Sequence, residues 1–98
     1  MNRRLILLQI VVVLARQGQC QMVMPPALKA GDTIAIVSPS RAPDSMTVVK
    51  GCAALREWGY VPVVGPNALK DYHGFAGTAD ERAADLLCAL RDSTVKAI

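Results

Sequence analysis

Two serines in one loop, together with the single histidine, are the first candidates for nucleophilic catalysis in this chain. Ser38 and Ser40 follow a short apolar run, and His73 is the single histidine. A catalytic serine needs a base within hydrogen-bonding reach and an acid that orients that base. His73 lies in a predicted loop with no identifiable acidic orienter, so we expect it to face solvent and to take no part in catalysis.

The other candidate groups indicate neither a metal nor a cofactor. Three carboxylates, Asp80, Glu81 and Asp85, lie in the predicted second helix, where capping and a solvated face explain all of them. The three cysteines form no Cys-x-x-Cys pair and no His-x-His spacing occurs, which argues against zinc. No Gly-x-Gly-x-x-Gly or Gly-Lys-Ser/Thr segment follows the first predicted strand, which argues against dinucleotides and phosphate-loop ligands.

The predicted elements alternate in the order strand, helix, strand, helix, strand. The strands are predicted at residues 33–37, 60–64 and 95–98, because each is a short and mostly apolar run. This order requires right-handed crossovers and indicates an α/β fold with a doubly wound parallel sheet. Pro62 cannot donate to a strand ladder, so it places the second strand at an edge of the sheet.

The first helix is predicted from its two ends. Asp44 or Ser45 can cap its start, and Gly59 fits the left-handed position that follows a helix. Gly51 lies inside this helix, where it costs about 1 kcal/mol relative to alanine. We therefore expect Gly51 to allow close packing of the helix on the sheet.

The second helix begins with a capping box of Thr78 and Glu81. Each helix has one apolar face, which comprises Val48, Cys52 and Leu55 in the first helix and Ala83, Leu86, Leu87 and Leu90 in the second. If the strand order is 2-1-3, the helices cover opposite faces of the sheet. Cys52 and Cys88 would then lie on opposite faces and could not form a disulfide. Whatever the strand order, we expect both to be small core residues.

Open α/β sheets bind ligands beyond the carboxyl ends of their strands. Ser38, Pro39 and Ser40 directly follow the first strand, so they are the candidate residues that line a substrate pocket. Capping and turn formation explain the same residues without a ligand, and this alternative stays open.

Residues 1–21 have the features of a targeting leader, with two arginines near the start, an apolar run at 5–15 and a polar end. A run of this length suits a signal-peptide core and is too short for a stable membrane span. We therefore expect export to the periplasm. Lipidation at Cys20 is disfavoured by the large polar residue before it. A start at Met22 or Met24 would instead leave the protein cytoplasmic.

Residues 22–98 carry 8 basic and 8 acidic residues, so the net charge of +3 comes from the leader. Lys70 is the single Lys or Arg between the first and last aromatic residues, which is too few for a basic base-stacking surface and argues against nucleic-acid binding. A body of 77 residues holds at most one small domain. Because a natural domain seldom ends inside a central strand, we expect an incomplete N-terminal domain that is truncated in its third strand.

Four segments of this body resemble the opening of an LD-carboxypeptidase in their order and spacing. They are LKAGDTIAIVSPS at 28–40, GPNAL at 65–69, YHGFAGTADERAADL at 72–86 and VKAI at 95–98. The family, also called muramoyltetrapeptide carboxypeptidase, comprises serine peptidases that act on peptidoglycan peptides. The resemblance covers residues 25–98.

The resemblance implies a flavodoxin-like or glutamine-amidotransferase-like N-terminal domain, followed in full-length members by a C-terminal domain. It implies removal of the terminal D-alanine from a murein tetrapeptide by a Ser–His–Glu triad, with no metal or cofactor. In the family, the strand that resembles residues 95–98 continues into a Gly-Gly-Tyr-Gly segment, and the nucleophilic serine follows it. The Glu and His come from the C-terminal domain. All these positions lie beyond Ile98, so we expect no catalytic residue in this chain and no activity from it alone.

The resemblance implies a murein peptide as the partner. It leaves open whether the full-length protein forms a homodimer. A non-catalytic module that binds murein peptides, or a truncated gene product without function, is an alternative that needs no triad. A further alternative is the microcin-immunity branch of the same family, which cleaves peptidyl-adenylate antibiotics. Segments 65–69 and 76–82 are closer to the murein enzymes.

Overall fold

The computed structural model describes residues 22–98, so the predicted leader lies outside the described residues. Its elements are β1 (Thr33–Ile36), α1 (Ser45–Glu57), β2 (Val61–Val64), α2 (Ala79–Arg91) and β3 (Val95–Ala97). All five lie where the sequence predicts them, and each strand is one residue shorter than expected.

The three strands form one parallel sheet in the order β2-β1-β3. Thr33 pairs with Val61 on one side and with Val95 on the other. The chain leaves β1 for one edge and crosses back to the other edge, so right-handed crossovers place α1 and α2 on opposite faces. The structure confirms the doubly wound α/β fold and the edge position of β2 that Pro62 indicates.

The start of α1 lacks the predicted capping hydrogen bond, whereas its end has the predicted left-handed glycine. Asp44 is the N-cap residue, but its carboxylate accepts a hydrogen bond from Thr47 Oγ1 at 3.3 Å and none from a backbone N–H. At the other end Gly59 has a φ of 91°, and its N–H donates to the Arg56 carbonyl at 3.0 Å. The Tyr60 N–H donates to the Leu55 carbonyl at 2.9 Å, which completes a Schellman motif around the predicted left-handed Gly59.

Gly51 does not pack closely on the sheet, which corrects the expectation from the sequence. It is exposed, and a Cβ added there would meet no atom within 4 Å. The face that packs carries the buried Cys52 and the half-buried Val48 and Leu55, as predicted. Gly51 immediately precedes Cys52 and therefore lies on a different side of the helix.

The capping box of α2 is present, but the predicted apolar face is wrong. Asp85 and Ala89 are the buried residues of this helix, whereas Leu90 is 64% exposed. Ala83 and Leu87 are exposed as well, and only Leu86 of the predicted face is half-buried. The buried side of the helix therefore carries a carboxylate that is hydrogen-bonded to a loop, in place of the predicted leucines.

The interior is built from small side chains. Within residues 22–98 the buried apolar residues are Ala35, Cys52, Ala68, Ala76 and Ala89. A cavity of about 130 Å³ remains between the sheet and α2. Cys52 and Cys88 are both free, in agreement with the opposite faces, but Cys88 is exposed and is not the core residue expected. No helix in the described range is long and apolar enough to cross a membrane.

Candidate functional site

A groove of about 390 Å³ lies at the carboxyl end of β1. It is lined by Ala35, Ile36, Val37, Pro39, Leu86 and Ile98. Pro39 is one of the three predicted pocket residues, and its neighbours Ser38 and Ser40 are half-buried and exposed, respectively. The groove therefore lies at the edge of the sheet where open α/β folds bind ligands. The roles of Ser38, Pro39 and Ser40 in binding stay predictions.

The loop after β1 is paired with the loop before α2. The Ala76 N–H donates to the Ser40 carbonyl at 3.0 Å, and the Ala42 N–H donates to the Gly74 carbonyl at 3.0 Å. These two hydrogen bonds flank an antiparallel bridge between Arg41 and Phe75. We call this short ladder, residues 40–42 and 74–76, the clasp. It fixes the far end of the segment that begins with Ser38.

Arg82, in the first turns of α2, contacts the Phe75 ring of the clasp. Its guanidinium carbon lies 5.0 Å from the centroid of the Phe75 ring, within the range of a cation–π contact. Its Nη1 also donates to the Gly77 carbonyl at 2.8 Å. Arg82 is not among the site residues predicted from the sequence. Its partners Gly77 and Phe75 lie five and seven residues before it, outside the i−3 and i−4 spacings of a helix.

Asp85 anchors a second loop to the same helix. The carboxylate is 5% exposed, and its oxygens accept from the Asn67 backbone N–H at 2.9 Å and from Asn67 Nδ2 at 2.8 Å. Asn67 follows β2 closely, and the N–H of nearby Gly65 donates to the Ile36 carbonyl at 2.8 Å. The expectation of a solvated face is therefore wrong for Asp85, because satisfied hydrogen bonds allow a carboxylate to be buried.

The other two carboxylates behave as predicted. Asp80 is exposed in the first turn, and Glu81 completes the capping box, with Thr78 Oγ1 accepting from the Glu81 N–H at 3.2 Å. Glu81 also pairs with Lys70. The Lys70 ammonium and then the Thr78 N–H, both donors to this carboxylate, hold the pKa of Glu81 below its ordinary value of 4.5.

The lowered pKa of Glu81 predicts a loss of stability in acid. A carboxyl with a depressed pKa in the folded state stabilises the fold fully above its unfolded value, and this contribution is lost as the pH falls through the folded value. As the pH falls below the ordinary value of 4.5, we expect the melting temperature to fall less steeply in Glu81→Gln than in the unaltered chain. Thermal unfolding followed by circular dichroism at each pH measures this.

Glutamine at position 81 keeps the acceptor for the Thr78 N–H, so the comparison isolates the charge. Asp92, whose pKa is also lowered by the side-chain and backbone hydrogen bonds from Thr94, is the same in both proteins. Identical pH dependence of the two melting temperatures would contradict a stabilising role for the ionised Glu81.

His73 is exposed, as predicted. It has a φ of 51°, and its ring makes an edge contact with Tyr72 at a centroid distance of 4.5 Å. In residues 22–98, no group of three or more His, Cys, Asp or Glu side chains is placed to hold a metal ion.

Comparison with known proteins gives two carboxypeptidase relatives. A probable murein peptide carboxypeptidase of Bacillus subtilis (strain 168) is 41% identical over 75 residues, which are 76% of this chain and 23% of the relative. A putative carboxypeptidase of Streptomyces coelicolor is 37% identical over 81 residues, which are 80% of this chain and 26% of the relative. The chain thus spans about a quarter of the length of these relatives.

Solved structures of the microcin C7 self immunity protein MccF are also similar. The wild-type apo form and a complex with aspartyl sulfamoyl adenosine each have a TM-score of 0.66 and 27% identity, covering 76% of this chain and 23% of that one. A mutant in complex with adenosine monophosphate has a TM-score of 0.68 at 23% identity, which shows the fold alone.

The family described as the LD-carboxypeptidase N-terminal domain matches residues 34–98, well over half of the chain. The matched segment begins in β1 and includes both anchored loops, α2 and β3. On this match and the two relatives, the chain belongs to the LD-carboxypeptidase family.

Proposed function

We propose that this chain is the N-terminal segment of a serine carboxypeptidase that removes the terminal D-alanine from murein tetrapeptides in peptidoglycan recycling or remodelling. The observation that carries the proposal is the 41% identity with a probable murein peptide carboxypeptidase over most of the body. The nucleophilic serine and the Glu and His that activate it belong to the part of the longer protein beyond Ile98.

In this proposal residues 22–98 bind substrate and do not cleave it. The groove at the carboxyl end of β1 receives the peptide. Pro39 lines this groove, and in the proposal its neighbours Ser38 and Ser40 complete the wall on that side. Serine hydroxyls can donate to and accept from the amides and carboxylates of such a peptide. The acyl transfer itself needs the triad and an oxyanion hole that the following segment supplies.

The test compares the 98-residue chain with the complete protein on L-Ala-D-Glu-diaminopimelate-D-Ala, measured as released D-alanine. We expect release by the complete protein and none by the chain alone. Ser38→Ala and Ser40→Ala in the complete protein should raise KM with little change in kcat, because they remove binding that substrate and transition state share. Turnover by the chain alone that either substitution abolishes would overturn the location of the nucleophile.

A second candidate is the cleavage of peptidyl adenylates, as in microcin immunity. The similarity to MccF, including a form bound to aspartyl sulfamoyl adenosine, supports this alternative. The same complete protein discriminates the two when it is given murein tetrapeptide and a peptidyl adenylate in parallel. A higher kcat/KM for the adenylate would replace the murein proposal. Binding of tetrapeptide with no hydrolysis of either compound would favour a non-catalytic binding module.

We also propose that residues 1–21, which lie outside the described residues, export the protein to the periplasm. The proposal is supported by the two arginines and the apolar run of the leader. Fractionation of cells that carry the complete gene tests it, and recovery of the protein in the cytoplasm alone would contradict it.

A further inference from the structure

The proposed pocket wall comprises Ser38, Pro39 and Ser40, of which Pro39 lines the groove, and it has no regular secondary structure of its own. β1 holds it at one end, and at the other end it depends on the clasp. A two-bond ladder of this kind opens easily in isolation, because a short antiparallel pair is only marginally stable in water. Something else must therefore keep the clasp closed.

Phe75 and Arg82 are placed to keep it closed. Phe75 lies opposite Arg41 in the clasp, and its own N–H and carbonyl also pair with Tyr72, at 2.9 Å and 2.7 Å. Its ring is 43% exposed, so burial alone does not hold it. The half-buried Arg82 contacts the ring through its guanidinium carbon and donates to the carbonyl of Gly77, the residue directly after the clasp, which ties this segment to α2.

We propose that Phe75 and Arg82 are positioning residues for the pocket wall of Ser38, Pro39 and Ser40. They act through the backbone of the clasp and do not touch the substrate. The proposal rests on the proposed function, because it assigns the wall to a murein peptide. Its consequence is that loosening the contact between ring and guanidinium weakens substrate binding while the chemical step is preserved.

The test uses the complete protein with Phe75→Leu and Arg82→Gln, and with Phe75→Tyr and Arg82→Lys as conservative partners. Phe75→Leu and Arg82→Gln keep much of the side-chain bulk and remove the cation–π contact. Phe75→Tyr and Arg82→Lys preserve that contact. Arg91→Gln is the control, since Arg91 is an exposed residue in the last turn of the same helix.

Two readouts are taken on each variant. Hydrogen exchange is measured at the Ala42 and Ala76 amides, which make the ladder, with Ala35 inside β1 as the reference for global unfolding. KM and kcat are measured for D-alanine release from the tetrapeptide. For Phe75→Leu and Arg82→Gln we expect about tenfold faster exchange at Ala42 and Ala76 and a KM raised about five- to tenfold, with kcat within about twofold. The conservative variants and Arg91→Gln should stay near the unaltered protein.

Unchanged exchange at Ala42 and Ala76 in both disruptive variants would overturn the proposal, and so would faster exchange with an unchanged KM. A fall in protection at Ala35 to the same extent would assign the residues a purely structural role and overturn it as well. If the unaltered complete protein releases no D-alanine, the proposed function fails. The exchange rates then decide by themselves whether Phe75 and Arg82 hold the loop.

Discussion

Replacing Asp85 with alanine is expected to remove most of the stability of residues 22–98. The substitution leaves the Asn67 backbone N–H and Nδ2 without their acceptors in a part-buried site. Losing hydrogen bonds to a charged group and leaving their donors unsatisfied costs about 2–4 kcal/mol. A core of this size supplies about 3–5 kcal/mol in total. Urea denaturation followed by circular dichroism at 222 nm should therefore show a greatly weakened or absent transition.

Asp80→Ala is the matched control for Asp85→Ala, because it makes the same change at an exposed position of the same helix. It removes only a favourable interaction with the helix dipole, so a loss below about 1 kcal/mol is expected. Asp85→Asn should fall between the two, since its amide keeps one acceptor for Asn67. Equal losses for Asp80→Ala and Asp85→Ala would show that the anchor does not stabilise the fold.

Replacing Gly65 with alanine should destabilise the same anchor from the other side. A Cβ at position 65 would lie 2.6 Å from Asp85 Oδ2 and 3.1 Å from its Cγ. Because Asp85 is short, buried and held by Asn67, it cannot move aside without breaking its hydrogen bonds. Overpacking of this kind costs about 1–3 kcal/mol, which the same urea experiment measures.

Gly51→Ala makes the same change where the added Cβ meets nothing within 4 Å. Inside an exposed stretch of helix it should stabilise the chain by about 0.5–1 kcal/mol, the opposite sign to Gly65→Ala. The double variant Gly65→Ala with Asp85→Ala gives a second check. Because the clash needs both groups, the double variant should be about as stable as Asp85→Ala alone. Strictly additive losses would contradict the contact between positions 65 and 85.

The sequence predicts the elements of this fold well because their signals are local. The Thr78–Glu81 capping box and the glycine after α1 each depend on residues within one or two helical turns, and both are present. Pro62 predicts that β2 lies at an edge of the sheet, as it does, but it does not choose between the two strand orders that place β2 there.

The orientation of α2 could not be predicted, because it depends on partners far away in the sequence. Asp85 accepts hydrogen bonds from Asn67, 18 residues before it, and it is buried while Leu87 and Leu90, which a helical pattern would bury, are exposed. The prediction for Gly51 was wrong for a related reason. A glycine in a helix indicates close packing only where another element lies against it, and nothing lies within 4 Å of a Cβ at this position.

The sequence predicts where the candidate site lies, but it does not predict the contacts that hold its loops in place. The rule for carboxyl ends of strands places Ser38, Pro39 and Ser40 at an edge where the structure has a groove with Pro39 in its lining. The pairing of Arg41 with Phe75 and the contact of Phe75 with Arg82 are tertiary features. No periodicity or spacing in the sequence encodes them.

The most direct measurement for the central claim is the sequence of the coding DNA after the codon for Ile98, in the gene from which this chain comes. The claim is that residues 22–98 form the substrate-binding opening of an LD-carboxypeptidase whose triad follows. We expect the reading frame to continue into a Gly-Gly-Tyr-Gly segment and a serine soon after it, with a Glu and a His further on. A stop codon directly after Ile98 would contradict the claim and leave only a binding module or a remnant without activity.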